Sequence, residues 1–422
     1  MRHIAVVGGG PAGLFAALTL AQQGHEVSVF ESGAFGGRAR SLGPEGYPLN
    51  LGPHALYPAS NALLRRQGIE VQGGAPKPAG FRMVLDGETV PLPSGAMGLL
   101  SHRALRMSEK LVLARWLARI SERRARGLHA VPTSAWLNDA GLTGSARKVA
   151  EMLVRLTSYV NAPERFSAGA AMGQLAAGLQ GVLYVHGGWQ SIVDAMLGAL
   201  RERGVTLHDQ VRVAAVGPEG VTLVDERIVN ADAVLLAVSP KVAARLLGAS
   251  ASPCLVEYAR TAVAVRAACL DVASAALPGV ASIVLGADEP TYLSVPSVSA
   301  RVAPAGSSVV HVARYLTPGE PAPKGIRSAL EASLAAAHPD LATHVVHARY
   351  APAMTVMHAL PEAEDGGLAA RPDIDDAGPS WACLAGDWVG PEGMLLDAAL
   401  LSAERAAVRL GVVERVASTM QA

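Results

Sequence analysis

The chain has 422 residues, 36 basic and 36 acidic side chains, and a formal net charge of zero. At roughly 100–200 residues per domain, that length holds more than one core and can bury a large cofactor. Half the residues are apolar but only 4% are aromatic, so the cores must be built mainly from Ala, Val and Leu. Balanced charge excludes a general nucleic-acid binder, which needs a Lys/Arg excess. A charged fraction of 17% with so much apolar content excludes bulk disorder. Cys254, Cys269 and Cys383 lie far apart, with no CxxC and no Cys/His ligand spacing. Neither a disulfide framework nor a metal site is expected, and a reducing, cytoplasmic setting fits.

The first 24 residues combine a basic start with an apolar run, the outline of a secretion signal. Phased glycines interrupt that run, as a nucleotide site requires and a signal core does not. His3 to Val7 reads as a strand, Pro11 to Gln23 as a helix and Glu26 to Glu31 as a second strand, a β-α-β unit. A hairpin is expected through FRMVLDGETVPL, turning at Asp86-Gly87. Residues 101–165 read as helices, one of them strongly basic. Within 101–127, seven Arg and Lys110 face two Glu for a net +6, and Arg115, Arg119 and Arg123 share one helical face. A basic amphipathic helix of this kind suits either a solvated surface or peripheral contact with an anionic membrane.

Residues 166–193 carry no charge, yet six Gly, three Gln and one His make the stretch a poor membrane span. A helix follows at 189–203, then strand candidates in VTLHDQVRVAAV and ADAVLLAV. Residues 258–315 alternate β-branched runs with turns and suggest an antiparallel sheet, while 362–376 look like an acidic surface loop. An apolar strand, WACLAG, and a long helix from Met394 to Leu410 complete the pattern, which holds no internal repeat.

Gly8, Gly10 and Gly13 make GxGxxG between the first strand and its helix. The first glycine permits the tight turn, the second lets backbone approach a pyrophosphate, and the third lets helix and strand pack closely. Pro11 and Ala12 open the helix, whose N-terminal amides and dipole favour phosphate. Glu31 ends the second strand, 23 residues after Gly8, where a carboxylate binds ribose hydroxyls and repels a 2′-phosphate. These residues predict an adenine dinucleotide without a 2′-phosphate, with FAD and NAD both open.

Further residues carry a resemblance. After Glu31 comes Gly36-Gly37-Arg38-Ala39-Arg40-Ser41, and near the other end stands AGDWVGPEGMLLDAALLSAERAA. With the glycine fingerprint, these resemble the superfamily of flavin-containing amine oxidases, phytoene desaturases and protoporphyrinogen oxidases, over 1–57, 184–240 and 381–410. The resemblance implies an α/β fold in which a Rossmann-like FAD-binding domain (1–75, 187–250 and 350–422) is interrupted by an α+β substrate domain (76–186 and 251–349). It implies non-covalent FAD, with Gly37 and Arg38 along the pyrophosphate and ribityl chain, Gly386-Asp387 near the ribityl and phosphates, and Val211 holding adenine through its backbone. Leu395 and Leu396 would open the last helix against the flavin pyrimidine edge, where a helix N-terminus stabilises negative charge. For Asp387 the competing reading is an ordinary turn aspartate, and for Val211 a core strand valine.

Two departures bear on the substrate. Leu395 stands where amine oxidases usually carry an aromatic residue, and none of the five lysines lies in a strand-like apolar run. Both favour an apolar or conjugated substrate that loses hydride from a C–H bond. No second GxGxxG follows to suggest an NAD(P)H domain, so oxygen or a quinone is the expected electron acceptor. C–N oxidation by a flavin amine oxidase and a non-catalytic lipid or prenyl carrier on the same fold are the alternatives. A basic residue usual before the glycine doublet is replaced by Ala34-Phe35. Catalytic candidates are His54 and Tyr57, in and after Asn50-Leu51-Gly52-Pro53-His54, and Tyr184, with His186 beside it. For His54 the competing reading is a loop histidine bonded to backbone.

Overall fold

The computed structural model describes residues 1–412, so the last ten positions of the expected segment 350–422 lie outside the described residues. Two sheets organise the molecule. The first is a five-stranded parallel sheet in the order Ala382–Leu384, Ala233–Leu236, His3–Val7, Glu26–Phe30, Thr206–His208. Its strands come from four separate stretches of chain, and the inner ones His3–Val7 and Ala233–Leu236 read as nearly continuous apolar runs, because a parallel sheet is covered on both faces. Ile4, Ala5, Val6, Val234 and Leu235 are fully buried.

Helices Pro11–Gln22, Gln190–Glu202 and Leu395–Val412 pack together on one side of that sheet. The first and last meet through small residues, with Ala16, Ala17, Ala403, Ala406 and Ala407 fully buried. Small side chains let helices approach closely, which is how a chain poor in aromatics reaches native packing density. A three-stranded antiparallel sheet, Val213–Gly217, Gly220–Leu223 and Ile228–Asn230, flanks Ala233–Leu236.

The second sheet has seven strands in the order Val345–Met357, Val265–Ser274, Ser308–Tyr315, Thr291–Ser294, Ile283–Gly286, Phe81–Leu85, Glu88–Pro91. Neighbours are antiparallel except Ile283–Gly286 with Phe81–Leu85. Helix Ile326–Ala337 covers one face. The other face turns toward a helical layer that includes Gly144–Ser158 and Ala168–Leu179. The expected hairpin is present, with Asp86 (φ 53°) and Gly87 (φ 81°) both left-handed, as a two-residue turn matching strand twist requires.

Three local expectations change, and one strand is unforeseen. The basic stretch 101–127 is not one helix: Met107–Leu117 ends near Ala118, and Ser121 caps a new short helix, Glu122–Ala125, by accepting from the Arg124 amide. Arg119 therefore lies in the break, and the three-arginine stripe is not a helical face. Residues 362–376 are not a free acidic loop, because Glu362 pairs with Arg165 at 2.5 Å, Asp373 pairs with Arg405 at 2.7 Å, and Leu368, Arg371 and Ile374 are buried. The run 205–216 divides into two strands of different sheets, joined through Gln210 at φ 56°. Strand Val345–Met357 had no expectation and runs across position 350. It is an edge strand, exposed over 345–348, so burial imposes no alternation on its sequence.

Candidate active site

A cavity of about 1020 Å³ runs from the glycine turn of the parallel sheet to the inner face of the seven-stranded sheet. Its volume lies at the upper end of the ~300–1,000 Å³ typical of small-molecule sites, room enough for a dinucleotide and a small molecule beside it.

The nucleotide end is built from backbone. Gly8 has φ +109°, and a Cβ there would lie 2.3 Å from the Ala237 carbonyl oxygen. A Cβ on Gly13 would lie 1.8 Å from the Gly8 oxygen, so the helix packs this close to the strand end only because residue 13 is glycine. Around Gly10, by contrast, a Cβ would meet nothing within 4 Å, which is where space for a ligand is needed. Gly10 caps the helix without a side-chain bond and Pro11 follows, so the first-turn amides have no side-chain acceptor. Glu31 accepts from the Gly9 amide at 2.8 Å and the Gly33 amide at 2.9 Å. Oε1 also accepts from the Ser32 hydroxyl at 3.2 Å, whereas Oε2 retains a second lone pair for a hydroxyl donor. Gly8, Gly10, Pro11, Ala12, Glu31, Gly37 and Arg38 all line the cavity. Free helix amides, an open glycine and a fixed carboxylate fit an adenine dinucleotide.

Gly13 and Val211 stand outside the lining. Gly13 serves the helix-strand packing behind it. Val211 lies in the connection after Thr206–His208, and its amide is already donated to the Glu31 carbonyl at 2.9 Å. Only its carbonyl and side chain are left for an adenine.

Midway along the wall, Arg38 donates to both oxygens of Asp387, at 3.0 and 2.9 Å, and to the Val356 carbonyl at 2.6 Å. His358 completes the cluster, its amide and Nδ1 lying 3.1 and 2.7 Å from the same carboxylate. Burial alone would raise the Asp387 carboxyl, but the Arg38 charge and His358 bring it well below the usual range. Gly386, Asp387, Leu395 and Leu396 line the cavity beside this cluster. Leu395 opens the last helix at φ +54°, a conformation that costs a branched residue about 1–3 kcal/mol and clusters at functional sites.

The substrate end is built from side chains. His54, Tyr57, Tyr159, Tyr184, Tyr292 and Met354 contribute to its wall. Burial lowers His54 to about 4, with the hydrogen bond to the Gly52 carbonyl opposing, so the ring is neutral at physiological pH. His54 Nδ1 lies 3.0 Å from that carbonyl and the ring meets Trp189 edge-on at 4.6 Å. The backbone-bonded reading of His54 thus holds together with its place in the wall. Burial pushes Tyr57 up to about 12, and lifts Tyr184 well above the ordinary phenol value. The Tyr184 hydroxyl pairs with that of Tyr292 at 3.2 Å, and Tyr159 donates to the Pro53 carbonyl at 2.8 Å. His186 instead accepts from the Arg301 amide, outside the lining.

Sequence reasoning missed His358, Tyr159 and Tyr292, which no motif flags. It also missed Asp271 and His311, although each is a lone polar residue inside a strongly apolar run, the available signal of a buried polar network.

Comparison with known proteins agrees with this geometry. The profile of the flavin containing amine oxidoreductase family matches residues 11–411. A Mycobacterium tuberculosis protein assigned as a flavin-containing monoamine oxidase, AofH, is 30% identical over 268 residues, covering 56% of this chain and 57% of its own. The 4,4′-diaponeurosporene oxygenase of Staphylococcus aureus is 26% identical over 277 residues, covering 56% and 55%. The chain thus spans little more than half the length of these relatives. Cyclohexylamine oxidase from Brevibacterium oxydans shares the fold with a TM-score of 0.71 at 15% identity, covering 97% of this chain and 98% of that one. The cofactor is FAD, whose adenine half the glycine turn and Glu31 fit. Matched over nearly its whole described length, the chain belongs to the flavin-containing amine oxidoreductase family.

Proposed function

We propose that this protein is an FAD-dependent oxidoreductase that takes hydride from a C–H bond of an apolar or conjugated small molecule. One observation carries the reading: the substrate end of the cavity is uncharged. Among the described residues of the lining, Glu31 and Asp387 are the only carboxylates, both on the nucleotide side, and no lysine is present. His54 is neutral and the tyrosines stay protonated at physiological pH. An ammonium group would meet no counter-ion there, whereas an apolar skeleton loses nothing by desolvation. Bound FAD supplies the hydride-accepting chemistry, which needs no side-chain acid or base. Gly37 and Arg38 would flank its pyrophosphate and ribityl chain, and the helix opening at Leu395 would direct its free amides toward developing negative charge. The apolar wall excludes water, and His54 and Tyr57 orient the substrate. Oxygen or a quinone accepts the electrons.

A second reading, C–N oxidation, is favoured by the rings of Tyr57, Tyr159, Tyr184 and Tyr292, whose faces attract an amine cation. The carrier reading is disfavoured by the open glycine turn and by Glu31.

Substrate supply also has a reading. Helix Gly95–Ser101 starts at the cavity lining and exposes Met97 (85%) and Leu100 (49%), while Leu179 (64%) lies on the lining itself. Met107 and Leu111 are exposed one turn apart on the next helix, flanked by exposed Arg103, Arg106 and Arg115. An apolar face ringed by arginines suits peripheral contact with an anionic lipid surface. No helix among the described residues is long and apolar enough to cross a membrane.

The test begins with the absorbance spectrum of purified protein before and after heat release of its chromophore. Oxidised-flavin bands with FAD released are expected, followed by anaerobic bleaching with apolar or conjugated compounds and not with primary amines. Bleaching by amines alone would move the assignment to C–N oxidation. No flavin, even after added FAD, would leave the carrier reading.

A further inference from the structure

Three polar residues form a row across the cavity-facing side of the seven-stranded sheet. Asp271, on Val265–Ser274, stands directly opposite His311 on one neighbouring strand and Arg349 on the other. Asp271 and His311 are 0% and 1% exposed. Alternation along the strand places Ala267, Cys269 and Ala273 on the same face, while Ala268, Leu270 and Val272 pack under the helix Ile326–Ala337. Packing alone calls for an apolar residue at 271, since a buried charge is costly even when paired.

The hydrogen bonds of the row lead to one loop. Asp271 Oδ1 accepts from His311 Nδ1 at 2.6 Å, and Oδ2 accepts from Arg349 and from the Gly52 amide, the latter at 3.3 Å. Arg349 also donates to the Asn50 carbonyl at 2.8 Å. The Asn50 side chain in turn accepts from Ser41 at 2.7 Å and from the Trp189 amide at 2.9 Å. Gly52 has φ +81°, and a Cβ there would lie 2.4 Å from Met354 Cε, so the loop is seated hard on the sheet. The amide of Gly52 is shared between the Asn50 carbonyl, at 2.9 Å, and Asp271, and its own carbonyl faces His54 Nδ1, 3.0 Å away. A carbonyl only accepts, so this bond forms when Nδ1 carries the hydrogen, and Nε2 of the neutral ring is then a bare acceptor.

We propose that the Arg349–Asp271–His311 row is a positioning device: it grips the loop at Asn50 and Gly52 and so holds His54 as its Nδ1–H tautomer, presenting an unprotonated Nε2 to the substrate. The three residues touch neither substrate nor cofactor; they act through the loop. The substrate class narrows accordingly, to an apolar skeleton with an O–H or N–H group that donates to His54. The inference rests on the proposed function only in taking the molecule that meets His54 to be the substrate.

The test reads tautomers directly, by two-bond proton–nitrogen correlation on FAD-loaded, full-length protein carrying ¹⁵N-histidine, with His54→Gln identifying the His54 signals. Wild type is expected to show the Nδ1–H pattern at His54. Asp271→Asn, which cannot accept from both His311 and Arg349 and still receive the Gly52 amide, is expected to lose it in favour of Nε2–H. Arg349→Gln, at a partly exposed site that tolerates change, shifts it in the same direction, and Arg349→Lys restores part of it. An Nε2–H pattern in the wild type overturns the proposal without any variant having to fold. So does an Nδ1–H pattern that survives in Arg349→Gln or in folded Asp271→Asn. The same spectrum is taken without flavin: failure to bind FAD sinks the proposed function, while the His54 tautomer still decides for or against the row.

Discussion

At the nucleotide end of the cavity, Gly8, Gly10, Pro11 and Glu31 come from one β-α-β unit and act mostly through backbone. At the substrate end, Tyr57, Thr157, Tyr184, Tyr292 and Met354 arrive from separate elements and act through side chains. Backbone chemistry leaves little choice of residue, because only glycine survives a missing ångström. A side-chain wall needs only the right volume and polarity, which many sequences satisfy. The first end therefore announces its ligand and the second does not.

The sharpest way to break this comparison uses two glycines of the same turn. Gly13→Ala forces a Cβ to within 1.8 Å of the Gly8 carbonyl, so strand and helix must separate. Loss of soluble folded protein, or a melting midpoint lowered by many degrees, is the expected outcome. Gly10→Ala adds its methyl to open space and keeps an ordinary extended backbone (φ −78°), so apoprotein stability is unchanged while flavin content falls. Equal effects of both substitutions on apoprotein melting would refute the division between packing glycine and ligand glycine.

Glu31→Ala comes next in size. The Gly9 and Gly33 amides lose their shared acceptor, and so does the bound ribose. Hydrogen bonds to a charged group contribute about 1.5–3 kcal/mol, so the dissociation constant for FAD should rise roughly ten- to hundredfold by fluorescence titration. Unchanged affinity would mean that the ribose lies elsewhere.

The same contrast explains what was legible in advance. The β-α-β unit, the Asp86-Gly87 hairpin, the antiparallel sheet and the closing helix each carry a local signature of glycine placement or apolar period. Val345–Met357 carries none, since half of its surface faces solvent and Pro352 interrupts it. The arginines of 101–127 suggested one helix because i, i+4 spacing says nothing about Ser121, whose cap starts a new one. At the site, Glu31 and Arg38 came with motifs, whereas His358 and Tyr292 are joined to their partners only by the tertiary fold. For Val211 the fold narrows the expected backbone contact to its carbonyl, because its amide is already used within the chain.

His54 sharpens the comparison through pH. Its folded value of about 4 lies below the ordinary 6.5. Above pH 6.5 neither folded nor unfolded chain is charged at this ring, and its neutral burial adds full stability. Between 6.5 and 4 the unfolded chain takes up a proton that the folded one refuses, so stability falls as pH falls, then levels off below 4. The loss is at most about 3 kcal/mol, and less in practice because the ring borders the open cavity. His129, His186, His208 and His338 are lowered too, so the readout is the difference between wild type and His54→Gln. The melting temperature of the variant should decline less steeply across that window. Parallel declines would mean that His54 is solvated.

The smallest expected effect decides whether the substrate end is a wall or a participant in the chemistry. Tyr184 and Tyr292 share a hydroxyl pair at 3.2 Å, and both lie within reach of Ser294. Tyr184→Phe removes one hydroxyl and leaves Tyr292 a partner in Ser294, so the cost in stability is about 1 kcal/mol. Burial holds the Tyr184 phenol well above its ordinary value, so it cannot serve as a base near neutrality. A tyrosine that only shapes the wall changes KM several-fold and leaves the rate of flavin reduction nearly untouched, because its contact is the same before and during hydride transfer. A proton donor or acceptor would instead cost ~10²-fold or more in that rate. Stopped-flow flavin reduction in Tyr184→Phe separates the two cases, and a KM effect alone is the expected result. It would place the specificity of this enzyme in volume and polarity, the properties that its sequence leaves least marked.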